Sequence, residues 1–558
     1  MASLALTACA VESVAPREAD SPPTLAALQG IDTVGATKPL AAVAGAYRRP
    51  AFGQRSVKFY GTDLGWTFVH NGQLWVLFGD SWKSWTGATL TRDADDALGL
   101  ISLKDFPDGD SVERWVAAHP PGAGQPLWAA AAPPINMVID ILDRVLPIRQ
   151  LLDGQSLTSA SGLAPIAGFS NARTGAESAA FGLFLRNEPV QCSAAGTCSD
   201  GFDCDAQLGR CAPVHDLSLM CVLGTTSCNC VPIGNKKGLC QDRGSSLYNP
   251  ESERGRSNAV VMRQQIGNAL RNSLNTFATQ PWDTHRFFNA TARTVNDFDP
   301  ERFYGEGNDY ATADGKDYRG EGVFLWGRPN FGGVGAQGRD AQLYFAWAPL
   351  PTYESAGNFD WSPRYFTGVD AQGRPEFSAR EHDAKPIDLD DTEPGTQPHE
   401  VRDVVGQMSI SWVPALKRWV MLYGGDMGTQ FIDAVFGPDA KLIQRDPLGA
   451  IYIRYAKQPW GPWSPPKPVL IAGSPENGIV GQYGPGGILY HGGCTQRGCA
   501  PSEVVFTGLP DERGRLYGPN IVEPWTELRA GGAVDLYWHV STWNPYQIVL
   551  MRTRLSPP

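Results

Sequence analysis

Asn71-Gly72 lies between two apolar, aromatic-rich runs, Leu-Gly-Trp-Thr-Phe-Val-His before it and Gln-Leu-Trp-Val-Leu-Phe after it. Asn-Gly is the strongest short-range hairpin signal, because both residues of the tight turn must take φ > 0. With those two as the loop, His70 pairs with Gln73, Thr67 with Val76, and Asp63 with Asp80. Directly opposed residues hold their Cβ atoms about 4.5–5.5 Å apart, where like charges repel. Two carboxyls in that relation cannot easily ionise together, so one is expected to titrate high and serve as a proton donor. Such a pair is the working equipment of a glycosidase. The competing structural role for each Asp is a turn or cap residue at a strand end.

Both faces of the hairpin are apolar, which places it between stacked sheets. Strand-turn-strand segments of similar character recur near residues 180–186 and 258–264, 322–349, 407–456 and 487–551. Five such units, with no dominant helical stretch, predict radial repetition of small antiparallel sheets. Glycine (62) and proline (44) are plentiful but stay below the range of low-complexity chains. Two segments carry helical spacing instead: residues 135–152, interrupted by Pro147, and the later part of 259–277.

The charge balance is 47 basic against 58 acidic residues, net −11, with no basic run, which argues against nucleic acid as a partner. No apolar run is long enough to span a bilayer. Leu6-Thr7-Ala8-Cys9 fits a lipobox, with Cys9 as the lipidated residue, and predicts a truncated lipoprotein signal followed by a flexible tether over 1–46. Of 11 cysteines, eight (Cys192, Cys198, Cys204, Cys211, Cys221, Cys228, Cys230, Cys240) crowd one segment. They read as a disulfide-stapled insertion over 190–242 and hence as export to an oxidising compartment: a bacterial surface or periplasm. Eight cysteines allow 105 pairings, and spacing does not choose among them. No metal motif and no cofactor motif is present, so none is expected.

Gly-Thr-Asp63-Leu-Gly, Leu-Phe-Gly-Asp80-Ser-Trp82, Trp-Gly-Arg328-Pro, Trp-Val-Met-Leu-Tyr, Pro-Trp-Gly-Pro-Trp-Ser and Ser-Thr-Trp543-Asn-Pro-Tyr546 resemble the family catalogued as domain of unknown function 4185. That family includes the endo-D-arabinanases of glycoside hydrolase family 183. The resemblance implies an all-β fold, a five-bladed β-propeller over 47–558, with Asp63 and Asp80 as the catalytic acids. It also implies a D-arabinan-type polysaccharide as substrate. Residues at blade ends are candidates for substrate binding: Trp82 by stacking, Arg328 as a fork onto carboxylates or hydroxyls, Gln407 and Ser409 at a strand start, and Trp543 and Tyr546 near the end of the chain. The competing roles are inter-blade packing for Trp82, a loop salt bridge for Arg328, a strand-end turn for Gln407 and Ser409, and closure packing between the last and first blades for Trp543 and Tyr546. Asp426 and Glu523 are spare carboxylates that could tune the pair. A hydrolase of another furanose polymer and a non-catalytic glycan-binding surface protein are the alternatives.

Overall fold

The computed structural model describes residues 33–44, 62–79, 85–86, 89–90, 97–118, 135–137, 163–171, 179–186, 193–197, 202–205, 210–213, 228–233, 236–242, 256–264, 274–275, 279–284, 286–287, 289–295, 322–328, 343–350, 361–371, 373–387, 389, 405–424, 450–471, 515–543 and 547–556. The chain is all-β with a β-propeller arrangement. Its larger sheets, in chain order, begin with the strands Leu64–His70, Leu163–Asn171, Asn289–Val295, Met408–Val413 and Arg515–Ile521, each at one edge of its sheet. All pairings within these sheets are antiparallel. The five opening strands touch one another in a closed cycle, first to second and so on until the fifth meets the first.

Apolar faces between successive sheets explain the stacking. Leu74, Val76 and Phe78 of the first sheet pack with Tyr537, Ile548 and Leu550 of the fifth. Phe324, Trp326 and Phe345 of the third meet Trp419 and Met421 of the fourth, joined by Trp460. The Trp326 indole also donates to the Pro459 carbonyl at 2.7 Å, which gives the Pro-Trp-Gly-Pro-Trp-Ser segment its place between two sheets.

Each opening strand has one ladder edge without a neighbouring strand in its own sheet, and those backbone groups need partners. Side chains of the adjacent sheets supply several of them and bridge every junction. Asn520 Oδ1 accepts from the Thr67 N–H (3.0 Å) and hydroxyl (2.6 Å), joining fifth to first. His70 Nδ1 lies 2.7 Å from the Ser170 hydroxyl, joining first to second. The Ser170 N–H donates to Thr294 Oγ1, which donates back to the Ser170 carbonyl, joining second to third. Arg293 Nε donates to Ser411 Oγ (2.8 Å) and Nη2 to Ser409 Oγ (3.0 Å), joining third to fourth. Ser409 Oγ then accepts from the Ile521 N–H at 3.0 Å, joining fourth to fifth. The ring is closed by hydrogen bonds at every junction.

Several expectations change. The tether expected over 1–46 is a strand across Thr33–Ala44, paired with the C-terminal strand Gln547–Ser556 as the outer strand of the fifth sheet. Its Thr37-Lys-Pro-Leu-Ala-Ala-Val run reads as low-complexity linker, and only the unpaired edge of the last strand makes it ordered. Of the helical segment expected at 135–152, Ile135–Met137 is a strand and the rest lies outside the described residues. In 259–277, the Arg256–Gln264 strand is followed by a short strand, Leu274–Asn275, where helix was expected. Among the described residues an α-helix forms at Gly109–Ala118, which went unanticipated; Asp108 caps it, its carboxylate accepting from the Ser111 N–H at 2.7 Å. The Cys-rich segment is inserted between two paired strands of the second sheet, Ala179–Arg186 and Arg256–Gln264. It contains two hairpins of its own.

Replacing Arg293 by Met keeps most of the side-chain volume but removes the donors for Ser409, Ser411 and the Thr67 carbonyl. The variant is expected to lose about 3–5 kcal/mol in urea unfolding, the scale of a broken buried charged network. A loss below about 1 kcal/mol would mean that the junction does not depend on this guanidinium.

Candidate active site

Contacts between the opening strands match early residues with early and late with late. Trp66 Nε1 donates to the Pro165 carbonyl, and His70 lies against Ser170. The strands therefore run the same way, and the ring has two distinct ends. Asp63 stands at the entry end, just before Leu64–His70, and is 8 % exposed. Its Oδ2 accepts a 2.9 Å hydrogen bond from the Tyr517 phenol on the fifth sheet's opening strand.

Two irregularities bring those residues together. The ladder of the first hairpin follows the expected register from His70–Gln73 to Trp66–Leu77, with Asn71 and Gly72 both at positive φ. It then shifts by one, because Gly65 is an extra residue between Leu64 and Trp66. Leu64 pairs with Phe78, and the Gly79 N–H donates to the Asp63 carbonyl at 2.9 Å. Gly79, and not Asp80, therefore faces Asp63, which corrects the direct opposition of the two aspartates. A Cβ on residue 79 would sit 2.2 Å from Asp63 Oδ1, so the close approach requires glycine. The neighbouring strand is also bulged, between Tyr517 and Asn520, with Gly518 at φ +57°. Bulges re-aim side chains, and these two face each other across one junction.

Leu64 takes φ +66°, a left-handed conformation that costs a side chain with a Cβ about 1–2 kcal/mol. Behind the bulge, the buried His539 imidazole meets the Gly65 carbonyl at 3.2 Å through Nδ1. A carbonyl only accepts, so Nδ1 carries the hydrogen. The Leu64 N–H donates to Ser541 Oγ at 2.8 Å. The strained turn is thus held from behind by the second strand of the fifth sheet.

The other candidates divide. Gln407 sits at the same end, immediately before Met408–Val413, and its Oε1 lies 3.3 Å from where a Cβ on Gly518 would stand. Arg328 is fully buried at the end of Gly322–Arg328, opposite Asn289, the first residue of the third opening strand. Burial pushes its guanidinium down to about 9, still a cation at neutral pH. Ser409 is not an open substrate contact: its hydroxyl accepts from Arg293 and from the Ile521 N–H, a structural task. The backbone of Trp543 pairs with Arg515. Asp80, Trp82, Tyr546, Asp426 and Cys9 lie outside the described residues. Glu523 belongs to the opposite end, where its carboxylate is 3.6 Å from Arg293 Nε. A cavity of about 210 Å³ opens there, lined by Val69, Gly168, Ser170, Arg293, Thr294 and Glu523 among others.

No group of His, Cys, Asp and Glu among the described residues is arranged to hold a metal ion. Tyr517 and Asn289 were missed from sequence. The signal at Tyr517 was available but ambiguous, since Tyr-Gly-Pro-Asn reads as a turn while the fold uses Gly518-Pro519 as a bulge inside a strand.

No protein-family model matches the chain, and no curated protein matches it. Among solved structures, a mutant β-fructofuranosidase of Microbacterium saccharophilum aligns over 93 % of this chain and 77 % of its own, at 11 % identity and TM-score 0.32. A Trypanosoma rangeli sialidase mutant displaying trans-sialidase activity aligns over 92 % and 57 %, at 8 % identity and TM-score 0.28. An α-L-arabinofuranosidase of Clostridium thermocellum aligns over 75 % and 95 %, at 12 % identity and TM-score 0.20. Scores this low establish neither a shared fold nor a shared chemistry.

Burial lowers both His539 and His70 to about 4. Between their ordinary value near 6.5 and 4, the unfolded chain binds protons that the folded chain refuses. Stability is therefore expected to fall as pH drops from about 6.5 to 4, by about 3 kcal/mol for each histidine. Calorimetry of wild type and His539→Gln across that window checks this, since the variant should lose about half of the slope. Equal slopes would remove His539 from the account.

Proposed function

We propose that this chain is a glycoside hydrolase on a five-bladed β-propeller, cleaving arabinofuranosyl linkages inside a D-arabinan-type polysaccharide. The observation that carries the reading is Asp63: a buried carboxylate at the entry of the ring, held by Tyr517 between two facing bulges. The closed cycle of five opening strands supports the blade count. The motif resemblance to the 4185 family supports the choice of polymer.

Glycoside hydrolysis needs one carboxyl to protonate the leaving oxygen and another to activate water or attack the anomeric carbon. Asp63 and Asp80 take these roles together. The extra residue at Gly65 makes Gly79, the residue before Asp80 in sequence, the partner of Asp63. Tyr517 fixes the Asp63 carboxyl by holding Oδ2. Reducing-end release from mycobacterial arabinogalactan tests this. Asp63→Asn and Asp80→Asn are each expected to lower kcat by 10² to 10⁴, the usual range for a lost acid or base. Full activity in either variant would overturn the paired mechanism. Glycan binding without any release, retained in both variants, would favour a binding protein.

The same reading places the protein outside the cytoplasm, anchored through Cys9, with an oxidised insertion. Cys204 is directly opposite Cys211, and Cys230 is directly opposite Cys240. Opposed antiparallel residues have Cα atoms about 4.5–5.5 Å apart, within the range a disulfide spans. Those two pairs leave Cys192, Cys198, Cys221 and Cys228, for which three pairings remain. Non-reducing peptide mapping is expected to find Cys204–Cys211 and Cys230–Cys240; a bridge from any of these four to another cysteine would overturn the assignment.

A further inference from the structure

The opening strands present one face to the axis of the ring, and period two identifies which residues share it. On the third strand Arg293 reaches the fourth strand's serines and the Thr67 carbonyl, so Asn289, four residues earlier, shares that face. On the fourth strand Ser409 and Ser411 meet Arg293, and the ladder continues outward through the Gly424 N–H bond to the Gln407 carbonyl at 3.0 Å. Gln407, two residues before Ser409, therefore faces the axis too. Its side chain ends beside Gly518, the residue after Tyr517.

These two amides are 1 % and 3 % exposed. Asn289 Nδ2 has no hydrogen-bond partner among the described residues. Gln407 is the one buried side chain among them whose two polar atoms both lack a partner. An orphaned buried polar group is destabilising, and nothing among the described residues recovers it. One layer deeper, the polar groups of Thr67, Ser409, Ser411 and Asn520 are all engaged.

The geometry points to Asn289 and Gln407 as the hydroxyl-reading groups of the Asp63 site, receiving an uncharged sugar ring with adjacent hydroxyl groups. An amide offers a donor and an acceptor together, matching a diol that both donates and accepts. The amides themselves carry no charge, which suits an uncharged ring. This assignment rests on the hydrolase reading and adds the residues that select the sugar.

The test uses the whole chain and short arabinofuranosyl oligosaccharides prepared from arabinogalactan, with Asn289→Ala and Gln407→Ala beside wild type. A missing hydrogen bond to the sugar is expected to raise KM about tenfold in each variant, with the loss falling on KM rather than kcat. Because each substitution deletes an unsatisfied buried group, the thermal midpoint should stay level or rise. A structural amide behaves oppositely, with a lower midpoint and an unchanged KM, and that result would overturn the assignment. Wild-type cleavage with unaltered KM in both variants would reject the amides and leave the hydrolase standing. Absence of both cleavage and binding by wild type would reject the hydrolase reading, and this assignment with it.

Discussion

The inner edge of the ring has a hydrogen-bonding problem that the sheets cannot solve by themselves. Each opening strand leaves one ladder edge unpaired within its own sheet, and buried backbone groups left unpaired cost about as much as the whole margin a domain folds by. Side chains of neighbouring sheets bridge every junction and reach backbone groups of Thr67, Pro165, Ser170 and Ile521 directly, and Arg293 contributes most. Burial lowers its pKa, with the Glu523 carboxylate opposing the shift, and it donates to Ser411, to Ser409 and to the carbonyls of Ala292 and Thr67. One guanidinium thereby touches three of the five opening strands. Five forked donors in a fixed plane make this possible for Arg and not for Lys.

Once the middle of the ring is tied in this way, its ends are free to differ. At the late end the strands part around a cavity, and the Arg293–Glu523 pair forms part of its wall. At the early end they converge on Asp63 through a left-handed Leu64, a bulge at Gly65 and a second bulge at Gly518. Asp63 and Thr67 are four residues apart, roughly 13 Å along a strand, so the carboxylate and the bolted layer are separate zones. Strain collects at the zone with the confined carboxyl group, as expected where surrounding structure over-determines a costly conformation.

Much of this was legible in the sequence, because it depends on local patterns. Asn71-Gly72 specified its turn, and the alternating aromatic runs specified most of the paired strands, including Ala180–Arg186 against the later segment near Asn258. Asp63 was legible as well, through its place just outside the hairpin. What stayed hidden depended on non-local pairing. Nothing in Thr33–Ala44 announces a strand until Gln547–Ser556 offers it an edge. The Gly65 bulge is invisible to a register count, since an inserted residue changes the pairing without changing the pattern around it. Arg515–Ile521 was lost because Gly518-Pro519 signals a turn, and with it went Tyr517 and Asn520. Those two residues bind partners about 450 positions away in the chain.

The contrast between neighbouring layers of the axis is the sharper guide to function. Had the chain been shaped for stability alone, the polar groups at Asn289 and Gln407 would be as well matched as those of Thr67, Ser409 and Asn520, or replaced by apolar side chains of similar size. A matched buried hydrogen bond contributes about 0.5–1.5 kcal/mol, while each orphan costs about 1–3, so three orphaned amide atoms outweigh several of the bonds that hold the ring. The same end also carries the left-handed Leu64 and the closely confined Asp63 carboxylate. Unsatisfied donors, an unsatisfied acceptor, a strained backbone and a confined carboxyl group occur together where the strands enter the ring, and a bound ligand with hydroxyl groups would offset the first two while using the last.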